Sequence, residues 1–333
     1  MATIWLWIGF LALVMVFLAL DLGVFNRKAH VIGISEAIRW TIIWVAAALL
    51  FNVGVYFMYE HHLLGIGTHA GHVDLDGTQA AVKFFTGYII EKSLSLDNIF
   101  VISMVFTFFG VPAIYQHRVL FWGILGAVIM RGIMIGIGTT ALHWFGGVMN
   151  YIFGLILIFT ALKMMFTKHE EVHPEKNLFV KLAKRFFPVT DEYHDEKFFV
   201  RLDGRLFLTP LFLVLLVIES MDVVFAVDSI PAIFAITTDP FIVFTSNIFA
   251  ILGLRALYFA LAAMIRKFCY LKQSIIVILL YVGCKMMVSE HIKDSGFSNT
   301  MTWVSLGVII GIMTIGIIAS LCVKSKSENP PQS

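Results

Sequence analysis

Charge is what this chain lacks most. Only 14% of its 333 residues are Asp, Glu, Lys or Arg, and 59% are hydrophobic. Soluble domains carry about 25% charged and 45–50% apolar residues. A water-surrounded globule is therefore excluded, and a polytopic all-α membrane protein is indicated. Cysteine is scarce as well. Cys269, Cys284 and Cys322 stand singly in apolar runs without a C-x-x-C spacing, which excludes a disulfide framework or thiolate metal site and leaves them as small packing residues. No basic segment precedes the first apolar run; Arg27 and Lys28 follow it, as in a membrane anchor entering from outside rather than a secretory signal. The net charge of +2 says little about partners. No nucleic-acid partner is expected, and the lipid bilayer is the first one.

What the chain has in abundance is long apolar runs. Stretches able to cross about 30 Å of hydrocarbon occur near 4–25, 38–59, 80–109, 117–140, 147–167, 207–237, 241–265, 272–290 and 301–323. The run at 207–237 is long for one helix, and Pro231 predicts a bend or break near its end. Lys and Arg alternate between the connections. Arg27, Lys28 and Arg39 follow the first span, 60–79 has no Lys or Arg, Arg118 precedes the fourth span, and 168–206 is strongly basic. Positive-inside reasoning then predicts the N-terminus outside and the C-terminus in the cytoplasm. The segment 168–206 mixes charge with Phe179, Phe186, Phe187, Phe198 and Phe199, which predicts an interfacial or short helical cytoplasmic link.

Two parts of the chain look like copies. E-K-S-L-S-L-D-N-I-F-V (91–101) is matched by E-S-M-D-V-V-F-A-V-D-S-I-P (219–231). Asp97 and Asp222, Arg131 and Arg255, and Lys163 and Lys285 recur in the same order at offsets of 122 to 125 residues. A unit of three spans has odd parity, so its second copy inserts upside down, and inverted repeats with a site near the midplane are a transporter architecture. The expected organisation is a two-helix segment over 1–79, a first repeat over 80–167, the link over 168–206, a second repeat over 207–290, and a last span with a disordered tail over 291–333.

Five carboxylates, Glu91, Asp97, Glu219, Asp222 and Asp228, lie within apolar runs. Each costs roughly 2.5–3.5 kcal/mol at bilayer depth on insertion scales, so a compensating purpose is needed. At about 100° per residue, Glu91 and Asp97 project about 120° apart, as do Asp222 and Asp228. A straight helix cannot aim either pair at one ion. An unwound stretch is therefore expected, and Ser93, Ser95, Asn98, Ser220, Ser229 and Pro231 would tolerate it. Carboxylate, amide and hydroxyl oxygens are hard ligands, suited to Mg²⁺, Ca²⁺ or Mn²⁺ rather than copper or zinc. Arg131 and Arg255 fall near mid-membrane, where pairing with the carboxylates or coupling is expected, and Lys285 shares that expectation. Five acids against two deep arginines leave negative charge in surplus, which favours a cation site over a purely ion-paired scaffold.

Other groups carry weaker signals. The outward loop E-H-H-L-L-G-I-G-T-H-A-G-H-V-D-L-D (60–76) offers His61, His62, His69, His72, Asp74 and Asp76, either to gather metal or as solvated loop residues. H-E-E-V-H (169–173) reads as a solvated run, and Asp21 as a helix-end residue. An intramembrane aspartyl protease also pairs Asp residues, but its G-x-G-D is missing from the sequence, and no enzyme activity is expected. A membrane scaffold that transports nothing itself is the remaining alternative.

The chain resembles the TerC family (TerC/Alx-like proteins) of the LysE superfamily of exporters. The resemblance rests on L-D-L-G-V-F-N-R-K-A-H (20–30), E-K-S-L-S-L-D-N-I-F-V-I-S-M-V-F (91–106), Q-H-R-V-L-F-W-G-I-L-G-A (116–127) and, most specifically, the stretch 217–259 that begins V-I-E-S-M-D-V-V-F-A-V-D-S-I-P. It implies Mn²⁺ efflux across the bacterial inner membrane, with Mn²⁺ as substrate and no permanently bound cofactor. Tellurite resistance is the family's other label. Tellurite is an anion, and a cavity with surplus carboxylates repels it. The expected mechanism holds Mn²⁺ between the third and sixth spans on Asp97, Asn98, Asp222 and Asp228, assisted by Glu91 and Glu219. Rocking of the repeats then exposes the ion outside, with protons as counter-ion on the return leg.

Overall fold

A computed structural model describes residues 2–23, 33–66, 75–166, 177–202, 204–262, 270–292 and 298–322. It is helical nearly throughout: α1 (Ala2–Gly23), α2 (Ile34–Glu60), α3 (Gly77–Phe109), α4 (Ala113–Phe145), α5 (Gly147–Phe166), α6 (Leu178–Phe186), α7 (Pro210–Phe234), α8 (Pro240–Leu252), α9 (Leu254–Ala262), α10 (Leu271–Ile292) and α11 (Ser298–Cys322). A two-stranded antiparallel hairpin, β1 (Phe199–Leu202) and β2 (Arg205–Leu208), lies between α6 and α7.

Each of the nine apolar runs forms helix over most of its described residues. Among the described residues, six helices are long and apolar enough to cross a membrane, and the bent pair α8–α9 makes a seventh. The apolar stretch of α1, Ile4–Leu20, is shorter, and α3 is interrupted by Lys83, Glu91, Lys92 and Asp97. The helices are apolar around their circumference. Leu50, Trp144, Phe166 and Ile315 are each at least 70% exposed, an arrangement that water would penalise and lipid tails accept.

Local sequence sets the helix ends. Asp239 and Pro240 start α8 as N-cap and first residue, with Asp239 Oδ1 accepting from the backbone N–H of Phe241 at 2.9 Å and of Ile242 at 3.1 Å. Gly110, at φ 63°, ends α3 in the left-handed region that a side chain disfavours.

Two expectations are corrected here. Helix α7 is not broken at Pro231. The proline sits in its last turn, where only one backbone bond is lost, and residues 207 and 208, at the start of the expected run, are strand rather than helix. The break lies instead at Gly253, where α8 and α9 meet at 41°. The link carries the expected short helix and also a hairpin that was not foreseen. Tyr193 OH donates to Phe109 O at 2.8 Å, and Arg118 pairs with Glu196 at 3.1 Å, so the link docks on the ends of α3 and α4.

The helices interlace reciprocally. α3 packs chiefly on α8 and α4 on α7, so the first helix of each repeat lies against the second helix of the other. α5 and α10 pack on each other most extensively. Their crossing is tight because Gly154 and Gly283 face across it: a Cβ on Gly283 would stand 3.0 Å from Gly154 O, and one on Gly154 3.1 Å from Gly283 O. At the centre α3 meets α7, which brings the two acidic stretches together.

Candidate functional site

The centre of the bundle is a polar knot tied by four helices. Arg131 of α4 is fully buried, as is Glu91 of α3. The guanidinium forks onto Asp222 of α7, Nη2 donating to Oδ1 at 2.9 Å and Nε to Oδ2 at 3.3 Å. Nη1 donates to Glu91 Oε1 and, at 2.7 Å, to Asn247 Oδ1 of α8. Asn247 Nδ2 donates in turn to Glu91 Oε2 at 3.4 Å. Planar bidentate pairing of this kind is what arginine offers and lysine does not.

Small residues bring the parts together. A Cβ on Gly87, one turn before Glu91, would meet Ser246 Oγ at 2.8 Å, so glycine lets α3 lie close to α8 beside Asn247. Thr245 and Ser246 donate to carbonyls of their own helix, Phe241 O at 2.7 Å and Val243 O at 3.2 Å; Asn247 reaches across to α3 and α4 instead. Gly126, five residues before Arg131, faces the carboxylate of Glu219, which would collide with any Cβ there. Glu219 and Asp222, three residues apart on α7, lie on the same side of it.

A cavity adjoins the knot, walled by Asn98, Ile102, Leu120, Ala127, Asp222 and Arg255 among others. Asp222, with 13% of its side chain exposed, belongs to both. Asn98 and Arg255 are themselves buried, so the cavity places amide, carboxylate and guanidinium groups on otherwise apolar walls.

The six expected metal-binding residues do not form one cage. Among the described residues, no three His, Cys, Asp or Glu side chains converge to hold a metal ion. The reason is geometric: α3 and α7 stay helical through both acidic stretches, so the expected unwinding is missing and the members of each pair point apart. Glu91 and Asp222, one from each pair, converge. Asp228 turns to α5, where it accepts from Thr160 Oγ1 at 2.6 Å with Lys163 within electrostatic reach. Asp97 is half-buried and has polar contacts of its own, while its neighbour Asn98 lines the cavity. Of the basic residues, Arg131 is central, Arg255 lines the cavity, and Lys285 of α10 lies within electrostatic range of Lys83 on α3, away from the knot.

Among the histidines of the 60–76 loop, His61 stacks beside Phe57, with ring centroids 6.3 Å apart. His69, His72 and Asp74, the 169–173 run and the side chain of Asp21 lie outside the described residues.

Sequence reasoning missed Asn247, Lys92 and Thr160. The T-S-N triplet 245–247 in the middle of an apolar run was the available signal for the first. Lys92 donates to Ala250 O at 3.0 Å; this carbonyl sits at the end of α8, where the break at Gly253 would leave it unsatisfied.

Comparison with known proteins agrees on one family. Residues 76–328 match the integral membrane protein TerC family. The "Uncharacterized membrane protein STKORF319" of Myxococcus xanthus is 46% identical over 331 residues, 98% of this chain and 94% of the relative. The "Putative membrane-bound redox modulator Alx" of Salmonella typhi is 42% identical over 324 residues, 97% of this chain and 96% of its own. An "Uncharacterized membrane protein" of Rickettsia felis is 40% identical over 323 residues, 97% of this chain and 99% of its own. No solved structure matches.

Proposed function

The chain belongs to the TerC family of integral membrane proteins, and from that premise we propose that it exports a divalent metal ion, Mn²⁺, from the cytoplasm across the bacterial inner membrane. The observation that carries this reading is the meeting of Glu91 and Asp222, from the first helices of the two repeats, around a single buried cationic group. Two carboxylates and the Asn247 amide oxygen form a hard-oxygen donor set of the kind Mn²⁺, Mg²⁺ and Ca²⁺ accept. The adjoining cavity supplies the entry, with Asn98 and Asp222 along it. In this reading the ion takes Glu91, Asp222 and Asn247 as its ligands, and Asp228 stands outside the site.

Movement of one repeat against the other about the α3–α7 contact alternates access, with the N-terminus outside and the C-terminus in the cytoplasm as the Lys and Arg distribution indicates. The carboxylates take up protons on the return leg. A second reading, a scaffold that transports nothing, is favoured by one feature: Arg131 already satisfies both carboxylates. Proteoliposomes containing the purified protein separate the two. Transport predicts Mn²⁺ flux above that of protein-free vesicles, abolished in Asp222→Asn; a scaffold predicts no flux in either.

A further inference from the structure

We propose that Arg131 is a tethered substitute for the transported cation, holding the empty carrier closed and leaving the carboxylates only when metal arrives. This rests on the metal-site reading above and goes beyond it by assigning the group that guards the site.

Three observations converge on it. First, the guanidinium occupies every oxygen group the ion would use: both oxygens of Asp222, Oε1 of Glu91 and Oδ1 of Asn247. Metal and arginine cannot share them. Second, the charge balance makes the two cations alternatives. Among the groups in direct contact, Glu91 and Asp222 against one guanidinium leave one negative charge in excess; a divalent ion in its place makes that set neutral. Both cations together would leave a positive excess beside the fully buried Arg131 and Glu91, where unbalanced charge is expensive. Third, the empty site needs a cation. Without one, two carboxylates would remain buried at bilayer depth, where ionised groups persist only when paired or wet.

The structure also offers the arginine somewhere to go. Helical side chains lean toward the N-terminus of their helix, so Arg131 leans back along α4 by about one turn. Against Gly126 lies the carboxylate of Glu219, on the same side of α7 as Asp222. A guanidinium displaced by metal exchanges Asp222 for Glu219 over about one helical turn and stays within the protein. Glu219 thus acquires a role as the receiving carboxylate, and glycine at 126 is what leaves room for it.

The test is Mn²⁺ binding by the purified, detergent-solubilised full-length protein, read from the electron paramagnetic resonance signal of free Mn²⁺. Arg131→Ala should bind Mn²⁺ at least tenfold more tightly than wild type. Millimolar methylguanidinium should compete with Mn²⁺ in that variant and not in wild type, a response that a purely structural arginine would not produce. Affinity equal to or weaker than wild type, or indifference to methylguanidinium, overturns the proposal. Should Arg131→Ala fail to fold, Arg131→Lys keeps the charge without the fork and is expected to bind more tightly than wild type; unchanged affinity in a folded Arg131→Lys protein overturns the proposal equally. The double variant Arg131→Ala/Asp222→Asn separates the two claims. It should lose binding; if it binds as tightly as Arg131→Ala, the site assignment falls, not the substitution by arginine alone.

Discussion

Asp222 and Asp228 sit six residues apart on one helix and have different surroundings. Asp222 receives two guanidinium hydrogen bonds at the junction of four helices and also faces a cavity. Asp228 receives one hydroxyl hydrogen bond from Thr160, with Lys163 within electrostatic reach. Both acids stand in the same motif, and both would have to be neutralised or paired within the bilayer. The difference lies in the partners' reach. A guanidinium is charged and bidentate, and its removal strands charge; a hydroxyl is neutral and satisfied by an amide almost as well. Position in a motif therefore does not assign a role, whereas the elements that converge on a side chain do.

Four substitutions sharpen or break that contrast. Asp222→Asn should have the largest effect. Mn²⁺ flux in proteoliposomes should fall to the background of empty vesicles, and weakening the charged hydrogen bonds to Arg131, which keeps Glu91 as partner, should cost about 1.5–3 kcal/mol of stability, measured by thermal unfolding in detergent. Gly126→Ala comes next. Its methyl would stand where the Glu219 carboxylate lies, so the helices must separate or the acid must turn away; overpacking of this kind costs about 1–3 kcal/mol, and flux should drop severalfold while the protein still inserts. Lys92→Met should be milder, leaving the Ala250 carbonyl without its donor at the α8–α9 break, for about 1–2 kcal/mol in unfolding. Asp228→Asn should be mildest. The amide oxygen still accepts from Thr160, and flux should stay within about twofold of wild type, a change worth about 0.4 kcal/mol. Loss of flux in Asp228→Asn with retention in Asp222→Asn would reverse the contrast.

Much of the fold was legible because membrane helices announce themselves by length and hydrophobicity, with caps such as Asp239–Pro240 marking their ends. The burial of Arg131 within the bundle was legible too, since a charged residue in such a run must find a partner. What escaped depended on distance along the chain. Asn247 meets Glu91 across 156 positions, and nothing local distinguishes an amide bound to a neighbouring helix from one turned to its own. The unwinding expected in α3 and α7 followed from asking each pair of acids to share an ion. The protein instead takes one acid from each pair, which straight helices allow. The hairpin had a local signal that the phenylalanines of the link obscured: F-V-R-L-D-G-R-L-F-L (199–208) carries the sequence Asp-Gly, a hairpin signal, at its centre, and Gly204 adopts φ 75°.

Diffraction at the manganese absorption edge from crystals grown with Mn²⁺ tests the central claim most directly. The account predicts an anomalous peak bounded by Glu91, Asp222 and Asn247, with the Arg131 guanidinium displaced toward Glu219. A peak at Asp228, or an Arg131 still forked onto Asp222 with Mn²⁺ bound elsewhere, would contradict it.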